Sequence, residues 1–462
     1  MGIRPYLLGI ALVYTFTGLT SFESLYSLVS VLSISKGSIA ELSSLSSLVT
    51  EMDPLALSNL GQTASVTGEV DLNLTFISTT SNAENILQGI SLGLILIVVG
   101  FLFKIAAAPF HNWSPDVYDE SPTNVTIWLT IMPKLSIILL LLELEMGISL
   151  NLSQPLIVES SGSFANLFDS YFQVNIINGL NNVLKNIFLL SSLLSLIIGT
   201  VVGLAQIRIK RLLAYSTVSH IGFLLLALAV STEQSTESLI FYLIQYTITN
   251  LNTFFILLAF GYIINSLMSS TYINSEIKFI FNLKGQFLSN PILSLSLAVC
   301  LFSMAGIPPL IGFFGKQSVL FAAIGSGYFF MAFVAIVVSV ISASYYLRII
   351  RELHSESDYE KKTSETGSII MSESDGGPFL YLSNKVSHST LFTASGLESN
   401  RSIFLPSFQI YPGAAVNKTY LNLTNTHAFI IATLTLSIIF YVLKPSILLN
   451  SAVLSTLSLF YF

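Results

Sequence analysis

Charge is scarce in this sequence: Asp, Glu, Lys and Arg make up 10% of its 462 residues, against roughly a quarter in an ordinary soluble domain. A water-soluble chain of this length has no obvious way to cover its surface with so few ionised groups. Cysteine is scarcer still. Cys300 stands alone, which excludes a disulfide framework, a C-x-x-C pair and a thiolate metal site. The phosphate-cradling P-loop, the G-x-G-x-x-G fingerprint, H-E-x-x-H and paired zinc-ligand spacings are missing too. No basic patch points to nucleic acid, and the net charge of −6 falls mainly in polar connections.

What remains is apolar. Hydrophobic residues reach 53%, the mean hydropathy is +0.76, and apolar runs recur at about 20 residues, the length that crosses a bilayer as helix. The dyad alternation of a membrane β-barrel is not present. The fold class is therefore all-α: a polytopic transmembrane helix bundle of about nine spans. They lie near residues 6–20, 86–108, 123–143, 186–206, 211–231, 238–267, 291–315, 324–350 and 427–448. Polar stretches at 30–85, 150–183 and 352–426 interrupt them and read as poorly structured extramembrane insertions. Residues 449–462 are too short to count as a further crossing.

Basic residues collect in alternate connections: Arg208, Lys210 and Arg211, then Lys278 and Lys284, then Arg348 and Arg351. The opposite connection at 231–238 holds Glu233 and Glu237 and no basic residue. Counting crossings puts the three basic groups on one side, the positive-inside face. The connection at 109–122 and the insertion at 352–426 fall on the same side.

Three lysines interrupt the spans themselves. A lysine at mid-span costs roughly 2.5–3.5 kcal/mol on insertion scales, while each Leu or Ile returns only about 0.3–0.6. Lys104 lies in IVVGFLFKIAAAPF, Lys134 in WLTIMPKLSIILLLL and Lys316 in GIPPLIGFFGKQSVLF. Snorkelling to the interface is the bland explanation for any one of them and a poor one for all three. Pro109 follows Lys104, and Pro308 and Pro309 precede Lys316, so both spans should be broken there. Breaks at corresponding places in two halves point to an ion path, because freed carbonyls hold water beside the ammonium. Burial also makes an ammonium a readier proton donor.

His220, in RLLAYSTVSHIGF, sits mid-span among Tyr215, Ser216, Thr217 and Ser219 and is a possible proton relay; a packed, hydrogen-bonded histidine is the alternative. His111 is placed at the inner interface. Tyr246, Thr249 and Asn250 either line a wet path or glue helices together. Glu143 and Glu145 close the third span, where a solvated helix terminus is preferred over a proton exit.

The run KIAAAPFHNWSPDVYDESPTNVTIWLTIMPK, from Lys104 to Lys134, resembles the signature of the chain 2 family of proton-pumping NADH:ubiquinone oxidoreductase, respiratory complex I. RLLAYSTVSHIGF and AGIPPLIGFFGK resemble the wider antiporter-like family to which it belongs, and the APFHxWxPDVY form followed by Ser-Pro favours chain 2. The resemblance implies two inverted repeats, each with a broken helix. Residues 1–147 would hold the remainder of the first repeat, 148–185 a polar connection and 186–351 the second repeat. The insertion 352–426 would lie on the matrix side, and 427–462 would be a C-terminal helix and tail.

It also implies proton translocation along Lys104, Lys134 and Lys316, coupled to quinone reduction in other subunits. NADH, FMN, iron–sulfur clusters and ubiquinone would belong to those subunits, with no cofactor on this chain. Its partners would be other membrane-arm subunits, the lipid bilayer and protons. Its place would be the mitochondrial inner membrane, with a bacterial plasma membrane as the alternative. Family members have several further spans ahead of the one that opens this sequence, among them a helix whose buried glutamate pairs with the Lys104 equivalent. No residue here matches it, and Glu23 is placed in a loop, so the sequence is read as lacking the family's N-terminal helices. Two rival functions are a subunit of a cation/proton antiporter and a structural, non-pumping membrane subunit.

Overall fold

The computed structural model describes residues 3–29, 69–152, 165–267, 276–355 and 424–461. Among them, regular structure is helical apart from one antiparallel bridge between Arg208 and Phe279. In chain order the helices are α1 (Ile3–Thr17), α2 (Phe22–Val29), α3 (Glu69–Lys104), α4 (Trp113–Glu120), α5 (Thr123–Leu152), α6 (Ala165–Leu204), α7 (Ile209–Val230) and α8 (Glu233–Leu267). After short turns at Ile280–Leu283 and Gln286–Ser289 come α9 (Pro291–Ala305), α10 (Ile311–Gly325), α11 (Phe329–His354), α12 (Asn425–Phe440) and α13 (Ser446–Tyr461).

Six of the described helices are long and apolar enough to cross a membrane, or seven if α1 and α2, bent by 58°, form one span. Shorter apolar helices at Gln88–Lys104, Pro291–Ala305, Ile311–Gly325 and Ser446–Leu459 accompany them. The stretch 291–315 is not one helix but the pair α9 and α10, and α10 runs on to Gly325. The C-terminal residues expected to be too short for a crossing form α13. Backbone helix also occupies 69–85 and 165–183, inside stretches expected to lack structure. Once an apolar segment has nucleated a helix, each further residue adds a hydrogen bond at little cost, so polar flanks are drawn in. Glu23 lies in α2, exposed, and not in a loop. Most of the 30–85 insertion, the centre of the 150–183 stretch and nearly all of 352–426 lie outside the described residues.

The centre of the bundle is α7, whose membrane-length window is 94% buried within the chain, against 22% for α12 at the periphery. Such burial needs close backbone approach. A Cβ on Gly199 would meet Ser219 N at 2.6 Å, and one on Gly222 would meet the side chains of Leu196 and Ser195 at 2.8 Å. Small residues let two helices touch where no hydrophobic gain drives them together.

One end of the bundle gathers the connections. Arg208 pairs with Asp119 at 2.5 Å and Arg211 with Asp116 at 2.6 Å. Buried Lys210 pairs with Glu276 and donates to the Ser121 carbonyl at 2.8 Å, while Thr123 N donates to Glu276 at 2.9 Å. The His354 ring at the end of α11 lies 4.5 Å from that of Phe287. The 105–122 connection, the start of α7, the segment 276–290 and the end of α11 thus meet at one face. Desolvation alone would raise the Glu276 carboxyl, but hydrogen bonds from Lys210 and Thr123 outweigh it and hold the group below its ordinary 4.5.

Candidate functional site

Two helix ends set the geometry. At the end of α3, Ala107 N donates to Leu102 O at 3.0 Å and Ala106 N to Phe103 O at 3.2 Å. At the end of α9, Ile307 N donates to Phe302 O at 3.1 Å and Gly306 N to Ser303 O at 3.0 Å. Both are Schellman caps, with the left-handed residue at Ala106 (φ 60°) and Gly306 (φ 85°). In each case a proline follows three positions later, Pro109 and Pro309, with Pro308 between in the second. The proline supplies no N–H with which the helix could continue. The two breaks are thus alike in sequence offset and in hydrogen bonding.

Lys316 stands one turn into α10 and is buried. Its Nζ donates to the Ala305 carbonyl at 3.0 Å, at the end of α9. That carbonyl is among those a helix terminus leaves unpaired, and the negative end of the helix dipole favours a cation there. The ammonium also lies 5.7 Å from the centre of the Phe223 ring.

Lys134 is buried in α5, directly after Pro133, which stays within the helix. Its Nζ donates to Thr217 Oγ1 of α7 at 2.9 Å and lies 5.4 Å over the Tyr118 ring of α4. The first break therefore reaches the centre through the short helix that follows it. Trp113 holds that helix in place by donating to the Phe103 carbonyl at 2.9 Å.

His220 lies between. Its Nδ1 is 2.7 Å from Tyr242 Oη and its Nε2 3.2 Å from Tyr346 Oη, and both Lys134 and Lys316 are close enough to act on the ring electrostatically. The Tyr246 ring lies 5.6 Å from the imidazole, tilted by 51°, and its hydroxyl approaches Thr217. The Tyr345 ring lies 4.5 Å from that of Tyr346. Along α8, Gln245 Oε1, Asn252 Oδ1 and both amide atoms of Asn250 are buried without a hydrogen-bond partner among the described residues. Buried polar atoms of this kind normally bind ordered water. A lysine-to-lysine route through hydroxyls, an imidazole and polar amides can carry protons.

Lys104 departs from expectation. It is exposed in the last turn of α3, with Nζ 4.9 Å from the Tyr6 ring and 5.9 Å from the Phe101 ring, away from the Lys134–His220–Lys316 group. The turn at Ala106 aims the chain, not the lysine, toward the centre. His111 is buried at the break, its ring 6.2 Å from Tyr215, and desolvation lowers it from its ordinary 6.5 despite a backbone contact at Pro109. The glutamates expected to close the third span lie within α5, which runs on to Leu152: Glu143 is exposed, but Glu145 is buried.

Sequence reasoning missed Tyr242, Tyr345 and Tyr346, though Tyr242, Tyr246 and Asn250 repeat every four residues, which places them on one helix face. It also missed Glu276, the partner of Lys210. Among the described residues no group of three or more His, Cys, Asp or Glu is placed to hold a metal ion.

A family model described as NADH:quinone oxidoreductase/Mrp antiporter, TM, matches residues 1–170 and 170–342. NADH-ubiquinone oxidoreductase chain 2 of Rhizopus oryzae is 42% identical over 455 residues, covering 98% of this chain and 65% of that protein. The protein of the same name from Oenothera berteroana is 37% identical over 266 residues, 58% of this chain and 46% of its own length. The chain thus spans less than two thirds of either relative. Among solved structures, a chain of the membrane-bound sulfane sulfur reductase, an archaeal respiratory membrane complex, aligns with a TM-score of 0.59 at 16% identity, covering 99% of this chain and 63% of that one. That likeness is one of fold.

Proposed function

Because the chain belongs to the NADH:quinone oxidoreductase/Mrp antiporter transmembrane family, we propose that it is a proton-translocating membrane-arm subunit of NADH:ubiquinone oxidoreductase. It moves protons between Lys134 and Lys316 by way of His220 and the surrounding hydroxyls. The observation that carries this reading is the pair of buried lysines on either side of one histidine. Neither lysine forms an ion pair among the described residues, so a proton leaves without breaking one. Among the described residues each has a single neutral oxygen as acceptor, which leaves donors of the ammonium for water.

In this reading the chain binds no redox cofactor and relies on its partner subunits for quinone chemistry. It lies in the mitochondrial inner membrane, with the basic end toward the matrix. The like-built breaks at Ala106–Pro109 and Gly306–Pro309 support the division into two antiporter-like repeats over 1–147 and 186–351. Lys104 serves at the edge of the first repeat, where its exposed ammonium can meet a group from a neighbouring chain.

The test is Lys134→Met in the assembled complex, with proton uptake into vesicles measured against NADH oxidation. A lower proton-to-electron ratio is expected. A normal ratio in fully assembled complex contradicts the proposal.

A further inference from the structure

Lys134 and Glu145 are eleven residues apart on α5, three helical turns, so they share one face at a separation of about 16 Å. Between them on that face lie Ile138, Leu141 and Leu142, all buried and all apolar. Since α5 starts at the basic end with Thr123, Glu145 lies toward the opposite end of the bundle. The C-terminus of α7 is there too: Ser231 ends that helix in a left-handed conformation, φ 47°, with its hydroxyl alongside the Glu145 carboxyl. Yet neither Glu145 Oε1 nor Ser231 Oγ has a hydrogen bond of acceptable geometry among the described residues, and both atoms are buried. Lys185 of α6 is near enough to act on the carboxyl electrostatically without forming an ion pair among the described residues. Glu143, two residues before Glu145 on α5, and Glu233, the first residue of α8, are exposed.

A carboxyl 1% exposed needs a reason to be there. Burial and the carbonyl end of α7 both disfavour its charge, whereas the Lys185 ammonium favours it. Such opposed influences suit a group that must take up a proton and also give it away. We infer that Glu145 is the proton-release group of this chain: it receives protons from Lys134 across the Ile138–Leu141–Leu142 segment and passes them to the aqueous side remote from the basic connections.

The inference rests on the proton-carrying reading above. In the step itself, ammonium Lys134 loses a proton to water that transiently wets the apolar segment, and the Glu145 carboxylate accepts one from the same chain of water. Lys134 is left as a neutral amine and Glu145 as a neutral acid. The O–H bond of Glu145 then breaks toward the outer water, and the carboxylate re-forms beside Lys185. The apolar segment keeps the two groups out of contact between transfers, so a proton does not run back.

The test uses the assembled complex in vesicles, with the proton-to-electron ratio referred to the amount of assembled complex. Glu145→Gln is expected to lower the ratio to the level of Lys134→Met, and Glu145→Asp, which keeps a carboxyl, to recover most of it. Lys185→Met is expected to lower the ratio as well, because Glu145 then holds its proton. If Lys134→Met lowers the ratio and Glu145→Gln leaves it at the wild-type value, this inference is overturned while the proton-carrying reading stands. If Lys134→Met leaves it unchanged, the reading itself fails. Should Glu145→Gln give no assembled complex, Lys185→Met decides: a lowered ratio supports the assignment and an unchanged one overturns it.

Discussion

Lys316 Nζ donates to the Ala305 carbonyl at 3.0 Å, so the ammonium closes the helix end that the Gly306 turn opens. The charge is thereby fixed at a break between two apolar helices, where it faces the negative end of a helix dipole. Lys134 reaches a comparable position by another route, through a threonine on the most enclosed helix. Two lysines, neither in an ion pair among the described residues, thus contact α7 at Thr217 and Phe223, on either side of His220 in that helix.

The two caps should respond in opposite ways to exchange of alanine and glycine. Ala106 carries a Cβ in a left-handed conformation, which costs about 1 kcal/mol, so Ala106→Gly should raise the melting temperature or leave it unchanged despite full burial. Gly306→Ala should lower it, by about 1–2 kcal/mol in equivalent stability, and a new Cβ 3.0 Å from Lys316 Cδ should disturb the ammonium's bond to Ala305. Thermal unfolding of the purified complex in detergent checks both.

Thr217→Val keeps the shape and removes the acceptor of Lys134. A buried cation left without its hydrogen bond costs about 1.5–3 kcal/mol, so assembly or thermal stability should fall. Thr217→Ser should restore both, since the hydroxyl is what Lys134 Nζ uses. Equal losses from valine and serine would show that packing of the methyl group matters and the hydrogen bond does not.

The Lys210–Glu276 pair predicts an acid-sensitive contact at the basic end. The Glu276 carboxyl lies below its ordinary 4.5 in the folded chain. Its contribution is therefore complete above about pH 4.5 and fades as pH falls through the lower folded value. Glu276 is about a third exposed, so the contribution is modest, about 1 kcal/mol after screening. Glu276→Gln should lower stability by that amount at pH 7, and the gap between variant and wild type should close on acidification. A gap that widens toward low pH would contradict the assignment.

Much of this arrangement was legible in the residues. Hydropathy marks the helices because the bilayer leaves the backbone little choice but helix. The prolines mark where α3 and α9 stop, since a missing N–H shows in sequence. Lys134 and Lys316 stand out, and their burial was legible, because a charge in an apolar run is a local signal. Lys104 was misplaced because exposure depends on which helices pack against α3, and no single stretch encodes that. Glu145 looked like a span terminus, only two residues from exposed Glu143, whereas α5 runs on to Leu152 and Lys185 of α6 and Ser231 at the end of α7 lie beside the carboxyl. The tyrosines around His220 come from α8 and α11, so their convergence is a matter of tertiary packing. The polar flanks at 69–85 and 165–183 misled because composition alone favours loop there, while helix propagation from the apolar side wins.

The central claim is that Lys134, His220 and Lys316 serve a single proton route. The most direct measurement is the proton-to-electron ratio of Lys134→Met, Lys316→Met and the double variant in assembled complex reconstituted in vesicles. Steps in one series do not lose activity independently, so the account predicts that each single variant lowers the ratio and that the double variant is no worse than either. A wild-type ratio in either single variant, or losses that add in the double, would contradict it.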